Sequence, residues 1–510
     1  MARRACDKIQ SLEGLARRLA DHRARGDRIV HCHGVFDLLH IGHIRHLTRA
    51  KQYGDVLVVP VTPDVYVNKG PHRPAFTETL RAEALAALDC VDYVAINRWP
   101  TATEAIGLLR PHVYVKGAEY RDASQDRTGG MVAEAAAVAA VGGQVVFTDE
   151  LTCSASHLLN RYLPTLPEEV REYLAAFSAR YRPEQVLGYL ERARHLKVLV
   201  VGEAIVDEYC YCEAIGKAAK APMLALRPRR YETFAGGSAA VANQVAHFCD
   251  TVALVTTLGA RDSRAAFLRA QLQRHIEPVF IYRQAAPTIV KRRFIDEDTF
   301  TKLFELYEMD DSPLEAASEA QLCAALTDLL PRYDVVLVTD FGHGMLSREA
   351  IDLLYSRAAF LAVNTQANAG NWGFHTISRY PGADYVSLAE SELRLEARQR
   401  RGPLRDLVHD VAERLKWPRL AVTRSRRGCL GYSRDEGFVD VPAFAGPVVD
   451  RMGAGDAFFA LTALCAAQGA PMEVLGVIGN AVGAQAVATV GHRTAVARVS
   501  LLRYLETLLK

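Results

Sequence analysis

R-I-V-H-C-H-G-V-F-D-L-L-H-I-G-H, from Arg28 to His43, sets a β-branched run against a glycine turn and then a helix-like stretch. A tight turn that opens a helix leaves backbone amides free, and that arrangement binds anions. His40 and His43 stand three residues apart and project from the same helical turn, with His46 one step further along. Such a pair is often structural. The histidines at 31, 33, 40, 43 and 46 also leave a metal cluster open, although zinc sites usually recruit carboxylate or thiolate partners.

Outward from this stretch, the same grammar repeats. Short β-branched runs follow at D-V-L-V-V-P-V (55–61), D-Y-V-A-I (92–96), H-V-Y-V-K (112–116) and Q-V-V-F (144–147). Between them lie helical patterns such as Glu78–Leu88 and Met131–Ala140. Five strand–helix alternations predict an α/β fold, a parallel sheet covered on both faces, with ligands at the carboxyl ends of its strands. A charged, proline-punctuated helical stretch then interrupts the pattern, and K-V-L-V-V-G at Lys197 starts a second α/β core. Alternating stretches near Tyr209–Glu213, Met223–Arg227 and Ile289–Ile295 do not fit between helices and predict a small β flap on that core. The expected division is residues 1–163, a helical connector at 164–196, and residues 197–510.

The bulk properties agree with two domains. The chain has 510 residues, half of them hydrophobic and 24% charged, which is more than one core normally supports. Its net charge of +2, with no basic tail or stripe, argues against nucleic acid as the main partner. The apolar stretch Val474–Val490 is interrupted by Asn480, Gln485 and glycines, so it reads as a packed helix and not a bilayer span. No secretory h-region follows the basic start, and ten scattered cysteines form no C-x-x-C pair. The expected location is the cytoplasm.

The segment G-V-F-D-x-x-H-x-G-H resembles the signature of the cytidylyltransferase-like nucleotidyltransferases. K-G-P-H-R-P (69–74), V-Y-V-K-G-A-E-Y (113–120) and T-C-S-A-S-H-L-L-N-R (152–161) follow in order. Together they resemble the transferase half of the bifunctional heptose kinase/ADP-heptose synthase family, over about residues 8–162. The resemblance implies that a sugar phosphate attacks the α-phosphorus of a nucleoside triphosphate and expels pyrophosphate. That step depends on positioning and charge neutralisation. His40 and His43 are then catalytic, and Gly34, Phe36, Asp37, Lys69, Arg73, Lys116, Ser154 and Ser156 are nucleotide-binding candidates. Each cation taken alone also reads as a solvated surface charge.

A second chemical segment, V-V-D-R-M-G-A-G-D-A-F-F-A, precedes a long apolar helix at 448–460. Gly453, Ala454 and Gly455 offer backbone amides at a helix N-terminus, and Asp456 stands among them as a general base for a hydroxyl. Its companions V-G-E-A-I-V-D (201–207), A-G-G-S-A-A-V-A-N (235–243), T-D-F-G-H-G (339–344), V-T-R-S (422–425) and G-N-A-V-G (479–483) resemble the ribokinase-like sugar kinases from Lys197 onward. The resemblance implies that Asp207, Gly236, Gly237, Asn243 and Asp340 bind sugar, and that Asn480 helps to bind nucleotide. It also implies ATP as substrate with Mg²⁺, and a homodimer formed through the flap.

Several positions depart from that family. Ala240 stands where an asparagine is expected, with Asn243 a turn later. A-E-S-E (389–392) keeps only the glutamate of N-x-x-E, N-T-Q (364–366) replaces Asp-Pro-Lys, and Arg451 and Met452 precede the glycine turn. The expected activity is a sugar (phosphate) kinase joined to a sugar-1-phosphate nucleotidyltransferase, with ADP-heptose-like chemistry. CTP-dependent activation of another sugar or polyol, and a scaffold whose kinase half only binds ligand, remain open alternatives.

Overall fold

The computed structural model describes residues 5–67, 73–117, 120–121, 130–148, 166–444, 446 and 448–509. They divide into two compact units, Met1–Glu168 with Glu506–Lys510, and Glu169–Leu505.

The first unit is built on five strands: β1 (Ile29–Cys32), β2 (Val56–Val61), β3 (Tyr93–Ile96), β4 (Val113–Gly117) and β5 (Gln144–Thr148). Their order is β3-β2-β1-β4-β5 and every neighbouring pair is parallel. Side chains alternate between the faces, so each strand feeds two cores. Val30, Leu57, Val59, Val94 and Val115 pack with Leu47, Ala82 and Leu85 on one side. Ile29, Val58, Tyr93 and Ala95 pack with Leu12, Leu15 and Leu19 on the other. The sheet grows one way from β1 to β3 and the other way through β4 and β5. The switch point therefore lies between β1 and β4, where the loop after Cys32 leaves the sheet.

The second unit carries a nine-stranded sheet in the order β10-β9-β6-β13-β14-β15-β16-β17-β18. Its strands are β6 (Lys197–Gly202), β9 (Thr251–Gly259), β10 (Ile276–Arg283), β13 (Val335–Asp340), β14 (Leu361–Thr365), β15 (Tyr385–Ala389), β16 (Arg419–Thr423), β17 (Cys429–Ser433) and β18 (Gly437–Val441). From β10 to β16 the pairing is parallel, and β17 and β18 add an antiparallel end. The helix Ala454–Ala467 is buried along its whole length after the first turn. It lies so close to Met472–Ala486 that a Cβ on Gly479 would fall 2.3 Å from the Phe458 ring.

The flap is a separate four-stranded sheet, β12-β11-β7-β8, made of β7 (Ala204–Lys217), β8 (Leu224–Gly237), β11 (Val290–Asp296) and β12 (Thr301–Glu308). Three of these strands match the alternating stretches read from sequence; β12 was not foreseen. β7 follows β6 after a single residue, Glu203, so one continuous extended segment runs from core sheet to flap.

Within 164–196 the described chain forms two helices, Glu168–Arg180 and Pro183–Arg192. Both are fixed to the second unit: Tyr173 and Arg180 donate to Glu473 at 3.1 and 2.6 Å, and Gln468 donates to the Tyr189 carbonyl at 2.8 Å. Among the described residues no helix is long and apolar enough to cross a membrane.

Candidate active sites

At the first site, the chain leaves β1 in an extended path, and the Gly34 carbonyl accepts from the Thr62 amide at 3.0 Å. Phe36 takes a left-handed conformation, φ 50°, and folds its ring back against Gly34. That ring is buried and meets the His43 ring edge-on at 5.3 Å, so Phe36 supports the site from beneath. Asp37 is buried too; it accepts from the Phe76 amide at 3.0 Å and lies 3.6 Å from the Arg73 guanidinium.

His40 caps the helix Ile41–Lys51. Its Nδ1 accepts from the Gly42 amide at 3.1 Å, which assigns the proton to Nε2. Nε2 is buried and has no hydrogen-bond partner among the described residues, and burial lowers the pKa of this ring. His43 stacks on His40 with ring centroids 4.0 Å apart, and its Nδ1–H donates to the Leu38 carbonyl at 3.1 Å. The stacked pair thus stands at the helix N-terminus with the Nδ1 of each ring fixed by a backbone group.

The other histidines have structural surroundings. Burial, with help from the Lys116 charge, pushes His31 down to about 3 and His46 down to about 4. His46 pairs with Thr148 at 2.8 Å. Among the described residues no three His, Cys, Asp or Glu side chains are grouped to hold a metal ion. Lys116 does not stand as a solvated charge: Glu134 lies 3.0 Å away, and the rings of Tyr114 and Tyr120 flank it. Lys69, Ser154 and Ser156 lie outside the described residues.

Arg81 was not singled out in the sequence. Its buried guanidinium donates to the carbonyls of Val35, Thr62 and Phe76 and to Asp64, tying the motif turn to the loop after β2. The available signal was an arginine on the same helical face as Ala82 and Leu85, where a cation needs a dedicated set of acceptors.

At the second site, Gly453 caps the helix Ala454–Ala467 with φ 79°. A Cβ there would lie 2.5 Å from the His492 ring, so both backbone and space demand glycine. A Cβ on Gly455 would meet nothing within 4 Å, which leaves open room beside the first-turn amides. Asp456 is half-buried and accepts from Gln366 Nε2 at 2.5 Å. Burial raises its pKa; His492, Gln366 and Lys291 oppose the rise, and the charge of Asp207 adds to it. Glu392 accepts from the Ala389 and Ala367 amides, and burial, with Asp456 contributing, lifts it to about 7.

Asp207 projects from β7 and is paired with Arg293 on β11, with His492 Nε2 at 3.7 Å. A Cβ on Gly236 would fall 2.0 Å from the Asp207 carboxylate, and Gly237, at φ 59°, turns the chain into the next helix. Gly236 therefore admits the carboxylate. His492 and Lys291 belong to the same cluster and were not anticipated, since no local motif marks them.

Three of the expected ligand residues are engaged by the protein itself. Asn243 donates to the Gln271 carbonyl at 3.1 Å and accepts from the Gln273 amide at 3.0 Å, so it fastens its helix to a neighbouring loop. Asn480 spends its amide on the carbonyls of Val441 and Pro442. Asp340, 1% exposed, lies 3.0 Å from the His375 ring and accepts from Arg379, Tyr380 and the Gly342 amide. Beside it, Glu203 accepts from the amides of Phe341 and His343. Burial and the charge of Asp340 both raise the pKa of Glu203. These two acids shape the 341–344 loop. Asp450 has a similar duty, accepting from Tyr209, Lys302 and the amides of Met452 and Gly491.

Comparison with known proteins gives this second site its lineage. Residues 195–498, well over half of the chain, match the family described as pfkB family carbohydrate kinase. The chain belongs to the pfkB carbohydrate kinases. Its second unit is similar to phosphofructokinase-2 from Escherichia coli in complex with potassium, with a TM-score of 0.52 and 16% identity, over 62% of this chain and 100% of that one. That likeness concerns the fold alone.

Ahead of the pfkB region, residues 31–154 match the family described as cytidylyltransferase-like. The N-terminal part is similar to the bifunctional protein HldE of Geobacter metallireducens, 49% identical over 115 residues, 22% of this chain and 24% of that protein. HldE of Methylobacillus flagellatus is 39% identical over 145 residues, 28% of each chain. The chain therefore spans about a quarter of the length of the curated relatives it matches.

Proposed function

We propose that the chain is a bifunctional cytoplasmic enzyme, with a nucleotidyltransferase in residues 1–163, a helical connector at 164–196 and a carbohydrate kinase in 197–510, whose combined product is a nucleotide-activated, ADP-heptose-like sugar. The observation that carries the reading is a pair of open helix N-termini. One is capped by His40 with His43 stacked on it, and the other is capped by Gly453 with Asp456 in its first turn.

In the kinase, Asp456 accepts the proton of a sugar hydroxyl as that oxygen attacks the γ-phosphorus of ATP, and ADP leaves. The amides at the start of Ala454–Ala467 take up charge on the transferred phosphoryl group. Mg²⁺ would enter with ATP and would supply charge neutralisation to the phosphates, with Glu392 the nearby acid that would help to hold it. In the transferase, a phosphate oxygen of a sugar 1-phosphate attacks the α-phosphorus and pyrophosphate leaves. His40 donates from Nε2 to the phosphate oxygens, and His43 supports that ring and shares the charge.

A panel of nucleoside triphosphates scored for pyrophosphate release, crossed with sugar phosphates, tests the reading. ATP with a heptose 1-phosphate is the expected best pair, and ATP with heptose 7-phosphate should give a bisphosphate. The reading assigns no phosphatase step to this chain, so nucleotide sugar should form from the 7-phosphate only after a separate phosphatase is added. Its formation without one refutes the assigned sequence of steps.

A further inference from the structure

Side chains two residues apart on a strand share a face, which brings Asn364 and Gln366 together at the carboxyl end of β14. The Gln366 main chain is pinned on both sides. Its amide donates to the Asp340 carbonyl at 2.9 Å, and its carbonyl accepts from Asn371 Nδ2 at 3.2 Å. The two side chains then form a chain of hydrogen bonds that ends on the kinase centre. Asn364 Nδ2 donates to the Ser387 carbonyl at 2.7 Å. Gln366 Nε2 donates to Asn364 Oδ1 at 3.3 Å and to Asp456 Oδ1 at 2.5 Å.

The two ends set the direction of this chain. A carbonyl oxygen and a carboxylate oxygen only accept, so Asn364 turns its NH₂ to Ser387 and its oxygen to Gln366. Gln366 is left with one orientation. Rotating its amide would set an oxygen against Asn364 Oδ1 and Asp456 Oδ1 together, acceptors without a donor. Asp456 Oδ1 is therefore occupied, whereas Oδ2 accepts no hydrogen bond among the described residues. A Cβ on the neighbouring Gly455 would meet nothing within 4 Å, so the turn that carries Asp456 has open space beside it.

We propose that Gln366 is a positioning residue of the kinase, holding Asp456 by Oδ1 so that Oδ2 takes the proton of the sugar hydroxyl. The inference rests on the kinase reading above and assigns its proton transfer to one atom. The hydroxyl proton passes to Oδ2 as the sugar oxygen bonds to the γ-phosphorus and the bond from that phosphorus to ADP breaks. Gln366 keeps both its amide hydrogens throughout. A neutral amide suits this place, since a donor to an ionised acceptor makes a strong hydrogen bond without supplying a competing proton. Asn364 acts one step further back, by fixing the rotation of the Gln366 amide.

The test uses the full-length protein with MgATP and the sugar it turns over fastest. Gln366→Met keeps the length of the side chain and removes the donor. It should lower kcat by about 10- to 100-fold, the scale of one hydrogen bond to a charged group, with KM for both substrates within a few-fold of wild type. Gln366→Lys restores a donor and should recover part of the loss. Gln366→Glu keeps the shape but faces the carboxylate with an acceptor, and should lose at least as much as Gln366→Met. That ranking by donor separates positioning from packing, which favours the isosteric glutamate over lysine. Wild-type kcat in Gln366→Met, a loss confined to KM, or a glutamate variant faster than the lysine variant overturns the proposal. A second measurement needs no turnover. In protein carrying ¹⁵N-glutamine, the Gln366 side-chain amide is assigned by its loss in Gln366→Met, and its proton signal should move upfield in Asp456→Ala. An unmoved signal also overturns the proposal. If wild type phosphorylates no sugar but the signal moves, the kinase reading fails and the hold of Gln366 on Asp456 stands.

Discussion

Asp456→Asn isolates the proton-accepting step. The substitution keeps shape and volume, and the new side-chain oxygen can still accept from Gln366, which lies 2.5 Å from the native carboxylate. The Gly453 cap, held by its left-handed φ and by the His492 ring, is untouched. What disappears is a carboxylate whose proton affinity burial raises. General-base contributions run at about 10²- to 10⁴-fold, so kcat should fall by that factor, about 3–5 kcal/mol of barrier. ADP release at saturating sugar and ATP measures the rate, and calorimetry with an ATP analogue should show nucleotide affinity within a few-fold of wild type. The pH profile carries the sign. Asp456 must be ionised to accept a proton, and its raised pKa places the acid limb of wild-type kcat above the ordinary aspartate range. Activity should fall as pH drops through that limb, and Asp456→Asn should lack it. A variant retaining more than a third of wild-type kcat would refute the general-base assignment.

Gly453→Ala should destabilise the kinase unit by at least about 1–2 kcal/mol from the left-handed φ alone, with the His492 contact adding to it, read as a lower Tm and lost kinase turnover. Pyrophosphate release by the same variant should stay near wild type. His40→Ala or His43→Ala should reduce pyrophosphate release by about 10²-fold, the scale of one charge-stabilising donor, and leave kinase turnover in place; unchanged release would remove the pair from the chemistry. Asp450→Asn should cost about 1–3 kcal/mol in denaturant unfolding, because it weakens the bonds to Lys302 and Tyr209. Although burial pushes the Asp450 carboxyl up, those bonds hold its pKa below the ordinary value. Its contribution is therefore present at neutral pH and lost as pH falls through that depressed value, and the variant should lack that part of the acid destabilisation.

The parallel core of the first unit was legible because fully buried strands spell continuous β-branched runs; every residue of β1 and β2 is buried. β12 gave no such signal. Its apolar Phe304 and Leu306 are about half exposed, while Glu305 and Tyr307 pair with Arg293 and Lys291 on the inner face, so its hydrophobic pattern is inverted. Backbone demands were readable where geometry restricts the choice, as at Gly453 and Gly237, whose positive φ favours glycine. Side-chain engagements were not, because an asparagine amide can satisfy a backbone carbonyl as well as a ligand, and Asn243 and Asn480 each bond a backbone carbonyl. Arg81, His492 and Lys291 reach their sites only through tertiary packing, which spacing along the chain does not encode.

The one-residue passage from β6 into β7 bears on how this enzyme could be re-engineered. Glu203 is the whole of the linker between core sheet and flap, and its carboxylate also fixes the 341–343 backbone. The flap is consequently not a detachable module. Grafting another flap onto this core to change sugar preference would have to carry Glu203 and the loop it holds as one cassette, since a foreign joint would leave the amides of Phe341 and His343 without their acceptor.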